Sequence, residues 1–316
     1  MPFAKAGRHC PGECLSLRVP DWLTAQPKEG EDVSFVEPII LGVVQGVTEF
    51  LPISSSAHLR IVGEFLPSAR DPGSAFTAIT QIGTEVAVLV YFRRDIARIV
   101  SRWARSLRGE VTRNDPDARL GWQIIVGTIP IGLAGYLGQR LIRSTFRSLE
   151  LTAVVLIVFG VALGVADRLG TGSREFDDLR LADGLLCGLA QTLALIPGVS
   201  RSGATTTMGL VLGFSRPAAA EYAFLLAVPA VFASGLYELR ASLGKPGPYS
   251  LKRTALATCV SFAVGLGAIS LLMRFVSKRS FLPFSLYRIL LGAKLLVLMA
   301  KGVLRADWWR GSPHNT

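Results

Sequence analysis

The sequence predicts an all-α polytopic integral membrane protein. It is built from two inverted-topology repeats, each a re-entrant helical hairpin followed by three transmembrane helices. Three observations lead there. The 316 residues are 50% hydrophobic and 18% charged, with mean hydropathy +0.42, and a soluble domain of this length carries more charge. Several apolar runs approach the roughly 20 residues that cross a bilayer as a helix. One apolar pattern, interrupted by proline and serine, also occurs twice, at Gly42-Val-Val-Gln45 with Leu51-Pro52-Ile-Ser54-Ser55-Ser56 and at Gly188-Leu-Ala-Gln191 with Ile196-Pro197-Gly-Val-Ser200-Arg201-Ser202.

Residues 1–32 are polar, contain proline and glycine, and show no periodicity, so they read as a poorly ordered extension without the apolar core of a secretory signal. The membrane domain runs over residues 33–302, repeat one at about 33–166 and repeat two at about 181–302, with a tail at 303–316. Neither Val33 to Leu51 nor Leu59 to Leu66 is long enough to span comfortably, and Pro52 biases Leu51 away from helical geometry and should end the helix there. Together they form the first hairpin, with Ser54, Ser55 and Ser56 as the N-cap region of its second helix and His58 in the first turn. Non-helical backbone at that depth requires surrounding protein or a wet cavity.

Spans follow at about 74–92, 120–137 and 149–166; the second hairpin occupies 181–213, and the last spans fall at about 217–236, 254–273 and 284–301. Three crossings per half is an odd number, so the second half lies upside down relative to the first. Paired broken helices in inverted halves point to a site between them near the midplane. The loop carrying Arg93, Arg94, Arg98, Arg102, Arg105, Arg108 and Arg113 is the cytoplasmic candidate by the positive-inside rule. Both termini and the mouth of the first hairpin are then extracytoplasmic, although Arg140, Arg143, Arg147, Lys252 and Arg253 would share that side and weaken the bias. The mixed-charge loop from Asp167 to Arg180 reads as simply solvated.

The net charge of +11 would suggest nucleic acid in a soluble protein. No aromatic-basic motif accompanies it, so nucleic acid is not an expected partner and anionic lipid headgroups are. Cys187 and Cys259 sit in apolar segments as small core residues. The stretch His9-Cys10-Pro-Gly-Glu-Cys14 lacks the paired spacing of a zinc site.

The candidate chemistry collects at the two breaks. Gln45 and Glu49 share a helix face at i, i+4. The helix N-terminus after the serines suits an anion such as phosphate. Arg201 in an apolar segment needs a partner or ligand, and its guanidinium matches phosphate oxygens. Flanking Ser200 and Ser202 make an anion clamp the better reading than a charge reaching for the interface. Glu49 can hold a divalent cation or act as a base, or it can be a structural partner of Arg201. Of three histidines, His9 and His314 lie in the tails, so His58 alone can serve the membrane region as acid or nucleophile. Spacing does not rank Ser54, Ser55 and Ser56. Gln81 and Glu85 repeat the Gln-x-x-x-Glu spacing in the first span, where Glu85 either supports the site or pairs with an arginine. Acid, hydroxyls, imidazole and arginine at opposed helix N-termini fit phosphoryl transfer on a lipid phosphate.

In Leu41 through Ser56 with His58, and in Pro197-Gly-Val-Ser-Arg-Ser-Gly-Ala-Thr205, the sequence resembles the bacterial undecaprenyl-diphosphatase family of the bacitracin-resistance type. The weaker likeness runs from about Phe35 to Lys301. The resemblance implies conversion of undecaprenyl diphosphate to undecaprenyl phosphate and phosphate, recycling of the cell-wall carrier lipid, bacitracin resistance, and a divalent cation, magnesium or calcium. It makes Glu49 the second acid of the family's Glu/Gln-x-x-x-Glu motif, with Gln45 in the first position. It makes Ser55 the proposed nucleophile, His58 the motif histidine and Arg201 the phosphate-binding arginine. Ala57 stands where the family usually has glycine, and the N-terminal segment is longer than the family's. A bacterial inner-membrane location with a site open to the extracytoplasmic side is expected, with a homodimer left open. The competing expectation is a polyprenyl-phosphate transporter or flippase, since broken inverted repeats are also a transporter architecture.

Overall fold

A computed structural model describes residues 35–66, 72–112, 114–138, 148–243 and 248–302. The first hairpin is α1 (Val36–Thr48) and α2 (Ser55–Phe65), followed by α3 (Gly73–Tyr91), α4 (Arg93–Leu107), α5 (Pro116–Leu137) and α6 (Leu149–Leu169). The second hairpin is α7 (Leu181–Thr192) and α8 (Arg201–Val211), followed by α9 (Arg216–Ser242), α10 (Leu251–Val276) and α11 (Leu282–Ala300). Six of these helices, α3, α5, α6, α9, α10 and α11, are long and apolar enough to cross a membrane. The protein is a multi-pass, all-α membrane protein, and the only strand pairing among the described residues is an isolated bridge, Arg174 to Phe214.

Local chemistry sets the ends of the spans. The side chains of Asp115, Ser148 and Ser215 accept from the backbone N–H groups of Ala118, Leu151 and Ala218, which would otherwise be unpaired at the first turns. Proline opens α5, α9 and α11, where its missing N–H costs nothing.

The halves interlock. In each, the entering arm of the hairpin packs on the second span of the other half, α1 on α10 and α7 on α5, while α3 meets α9 and α6 meets α11. Small residues make the close contacts. A Cβ on Gly42 would stand 2.6 Å from Ala257 O, and one on Gly188 would stand 2.1 Å from Gly127 O. The two hairpins are thus held in opposite halves and meet at their breaks.

Three expectations need correction. The arginine-rich segment after the first span is not a loop but the helix α4, whose Arg98 bonds Asp117 on α5 at 3.0 Å. The 167–180 connection is not merely solvated. Asp167 is buried, takes the Arg216 Nε–H at 2.5 Å and also accepts from the Phe281 N–H at 3.1 Å, and Arg174 pairs with Asp183. Helix α1 ends at Thr48, four residues before Pro52, rather than at Leu51. The N-terminal extension, the C-terminal tail, His9, Cys10, Cys14, His314, Arg113, Arg140, Arg143 and Arg147 lie outside the described residues.

Candidate active site

The two breaks repeat each other in detail. Ser54 and Ser200 directly precede α2 and α8, and they are the only non-glycine residues with positive φ among those described, at 76° and 69°. Serine in that region is strained, and such strain collects where a site requires a particular backbone path. In both breaks the serine hydroxyl meets the one two residues on: Ser54 to Ser56 and Ser200 to Ser202, each at 3.2 Å. Ser200 also caps its helix through the Gly203 N–H, whereas the Ser54 side chain caps nothing, contrary to the capping role expected of it.

Glu49, just past the end of α1, is the hub. Its Oε2 accepts from Ser55 Oγ at 2.7 Å, from Gln45 Nε2 at 2.6 Å and from Gln81 Nε2 at 3.4 Å. Its Oε1 faces Arg201 Nη2 at 3.3 Å, and the side chain is 8% exposed. Gln81 closes the ring by accepting from Arg201 Nη2 at 2.9 Å. Among the described residues Arg201 donates only from Nη2, so Nε and Nη1 are donors that an anion could take. Ser202 Oγ donates to the Glu49 backbone carbonyl at 3.1 Å and fastens the second break to the first. Gln45, Glu49, Ser55 and Arg201 are therefore brought together, with Ser54, Ser56, Ser200 and Ser202 at the two helix N-termini beside them.

His58 is directed elsewhere. Its Nδ1 lies 2.7 Å from Ser54 O, a pure acceptor, so Nδ1 carries a proton; its Nε2 lies 2.7 Å from Tyr287 Oη on α11. The rings also stack, with centroids 5.6 Å apart. In the neutral ring Nε2 accepts the Tyr287 O–H, and both nitrogens are engaged away from the serine hydroxyls. The carboxylate beside Ser55 is that of Glu49.

Sequence reasoning passed over two residues of α11. Tyr287 carried no signal, because its partner is 229 positions away. Arg288 did carry one: a basic residue within an apolar span is costly wherever it occurs, and it is fully buried. Gln81, noted only for its spacing, enters the hub directly. Glu85, one turn further on α3, is buried, with no hydrogen-bond partner for Oε2 among the described residues, and the charges acting on it are those of Arg201 and Glu49.

The family model described as "Bacitracin resistance protein BacA" matches residues 38–294, a span that contains both breaks and α11 as far as Lys294. The chain belongs to the BacA family. Among curated members, "Undecaprenyl-diphosphatase" of Micrococcus luteus is 60% identical over 277 residues, covering 87% of this chain and 100% of that one. The protein of the same name from Clavibacter michiganensis subsp. michiganensis is 58% identical over 274 residues, at 87% and 100% coverage. "Undecaprenyl-diphosphatase 2" of Agrobacterium fabrum is 53% identical over 274 residues, at 87% and 99%. In this BacA chain the matched span covers every residue of the hub.

Oxygen donors at the hub fit the divalent cation that the family resemblance implies. Glu49 contributes a carboxylate, and Glu85 Oε2 and Gln45 Oε1 are buried without hydrogen-bond partners among the described residues. These are hard ligands of the kind magnesium and calcium take. Among the described residues no group of three or more His, Cys, Asp or Glu side chains that could hold a metal ion is found.

Proposed function

We propose that the chain hydrolyses undecaprenyl diphosphate to undecaprenyl phosphate and inorganic phosphate, with Ser55 as nucleophile and Glu49 as its base. The observation carrying this is the 2.7 Å bond from Ser55 Oγ to Glu49 Oε2 at a helix N-terminus, with Arg201 against the other carboxylate oxygen. The diphosphate lies between the N-termini of α2 and α8, where backbone N–H groups and Arg201 Nε and Nη1 meet its oxygens. Ser55 Oγ bonds to the terminal phosphorus as its proton passes to Glu49. The bridging P–O bond breaks, and the lipid monophosphate leaves. Water then attacks the phosphoserine, Glu49 returns its proton to Ser55 Oγ, and dihydrogen phosphate departs.

His58 holds the Ser54 carbonyl and so fixes the strained turn that aims Ser55. A bound divalent cation, held through Glu49 with Glu85 and Gln45, would offset phosphate charge. The diphosphatase names of the relatives favour hydrolysis over the flippase reading. The positive-inside rule, applied to the arginines of α4, supports a cytoplasmic assignment for that end, and on this reading the first hairpin opens to the extracytoplasmic face of the inner membrane.

The test is phosphate release from undecaprenyl diphosphate by the purified chain and by Ser55→Ala and Glu49→Gln variants. Each substitution is expected to lower turnover by at least about a hundredfold. If folded Ser55→Ala keeps wild-type turnover, water attacks directly and the serine assignment is wrong. If Glu49→Gln does so as well, the hub is not the active site.

A further inference from the structure

Each broken hairpin presents a conflict at the site. The entering arm ends in carbonyls that point outward with negative partial charge, and the leaving arm begins with N–H groups of positive partial charge. An anion held between α2 and α8 benefits only from the second, so the carbonyls at the breaks must be turned away and satisfied. No water is assured at that depth to do this, and an unmet carbonyl is costly.

Arg288 meets the carbonyls of both breaks at once. Its Nη1 donates to Pro52 O at 3.0 Å, in the first break, and its Nη2 donates to Gly198 O at 2.8 Å and Val199 O at 2.9 Å, in the second. Its Nε completes the set with Leu156 O of α6 at 3.4 Å. The residue is fully buried, and no carboxylate pairs with it among the described residues. An arginine in such a place ordinarily has a carboxylate partner, because burying an unpaired charge is costly. Here the guanidinium faces only carbonyl dipoles, so a net positive charge is retained directly beneath two helix N-termini. The fit is tight, since a Cβ on Gly203 in the first turn of α8 would stand 2.8 Å from Nη1. Helix α6, which fills the corresponding place in the other half, has no basic residue from Leu149 to Asp167, so one arginine serves both breaks.

We infer that Arg288 is a positioning residue for the phosphatase reaction, spanning Pro52 O in one break and Gly198 and Val199 O in the other so that the N-termini of α2 and α8 face one diphosphate with the carbonyl ends neutralised. The inference rests on the proposed hydrolysis. Two properties of the side chain separate experimentally: its charge, which lysine keeps, and its fork, which lysine lacks.

The test compares the wild-type chain with Arg288→Lys and Arg288→Met in detergent. It reads kcat and KM for undecaprenyl diphosphate, the inhibition constant of inorganic pyrophosphate, and the thermal unfolding midpoint. For Arg288→Lys the pyrophosphate constant is expected within about threefold of wild type, while kcat falls about tenfold or more because the breaks lose their common tie. For Arg288→Met the pyrophosphate constant also rises, by about tenfold or more. Unfolding is followed so that kinetics are read only where each variant is folded; should Arg288→Met fail to fold, the lysine variant decides by its kcat alone. The inference is overturned if folded Arg288→Lys keeps both kcat and KM within twofold of wild type, or if the substitutions lower only the unfolding midpoint. Absence of phosphate release from the wild-type chain would instead defeat the functional reading itself.

Discussion

At the scale of single residues, the hub divides its work between charge and geometry. Arg201 has one nitrogen committed to Glu49 and Gln81, and in the proposed reaction its other two donors meet the diphosphate, so a planar fork matters there as much as positive charge. Arg201→Lys is expected to reduce kcat/KM about a hundredfold, equivalent to about 2.7 kcal/mol, as read by steady-state phosphate release. Tyr287 reaches the site only through His58. Loss of its hydroxyl in Tyr287→Phe removes one bond to the ring and should lower kcat by about three- to tenfold with little change in KM, and a wild-type kcat would show that the ring needs no outer support. Glu85 has a buried oxygen with no protein partner among the described residues. Glu85→Gln should weaken manganese binding about tenfold or more in an electron paramagnetic resonance titration, a readout independent of turnover. Unchanged affinity would exclude Glu85 as a ligand.

At the scale of elements, the position of the breaks depends on how closely the hairpin arms approach the opposite half. Gly188 and Gly127 let α7 and α5 meet backbone to backbone, and there is no flexible side chain to move aside. Gly188→Val should therefore destabilise by the upper end of about 1–3 kcal/mol or more, read as a lowered unfolding midpoint in detergent. The same interval on α5 at Gly132, where a Cβ would meet nothing within 4 Å, should accept alanine without loss. Helix α4 shows why composition misleads at this scale. Its arginines look like a loop, yet it pairs Arg98 with Asp117 and Arg105 with Glu110 along an exposed helical face. Those contacts are exposed and contribute little, so the helix is held mainly by its apolar side.

At the scale of the whole molecule, the connections sort themselves into two ends. Arg119 and Gln123 of α5 donate to Leu179 O, and Asp167 gathers Arg216 and the Phe281 N–H. This places the α4–α5, α6–α7, α8–α9 and α10–α11 connections together. Tyr249 donates to Glu37 at 3.1 Å and ties the α9–α10 connection to the start of α1. In a background without the four native cysteines, Lys252→Cys is expected to react with a membrane-impermeant maleimide on intact cells, and Ser173→Cys only after lysis. The opposite pattern would reverse the orientation and put the mouth of the first hairpin inside.

The apolar runs, the paired breaks and the candidates Gln45, Glu49 and Arg201 were legible in the linear chain, while Ser55 was distinguished from its neighbouring serines only by the family resemblance. Their signals are local: the length needed to cross a bilayer, proline followed by a helix cap, and charges too costly to bury without a purpose. The sequence alone therefore determined the fold class, the spans and which residue types gather at the breaks. Only the tertiary structure decided that Glu49 rather than His58 sits beside Ser55, that Gln81 closes the ring, that Tyr287 meets His58 and that Arg288 meets carbonyls of both breaks. The Glu49–Ser55 contact crosses the break over 6 positions and the others span 32 to 236, so they depend on the path of the break and on the helix packing that lets two half-helices meet end to end. Periodicity along one helix reports which face is apolar; it carries no record of which distant side chain stands opposite.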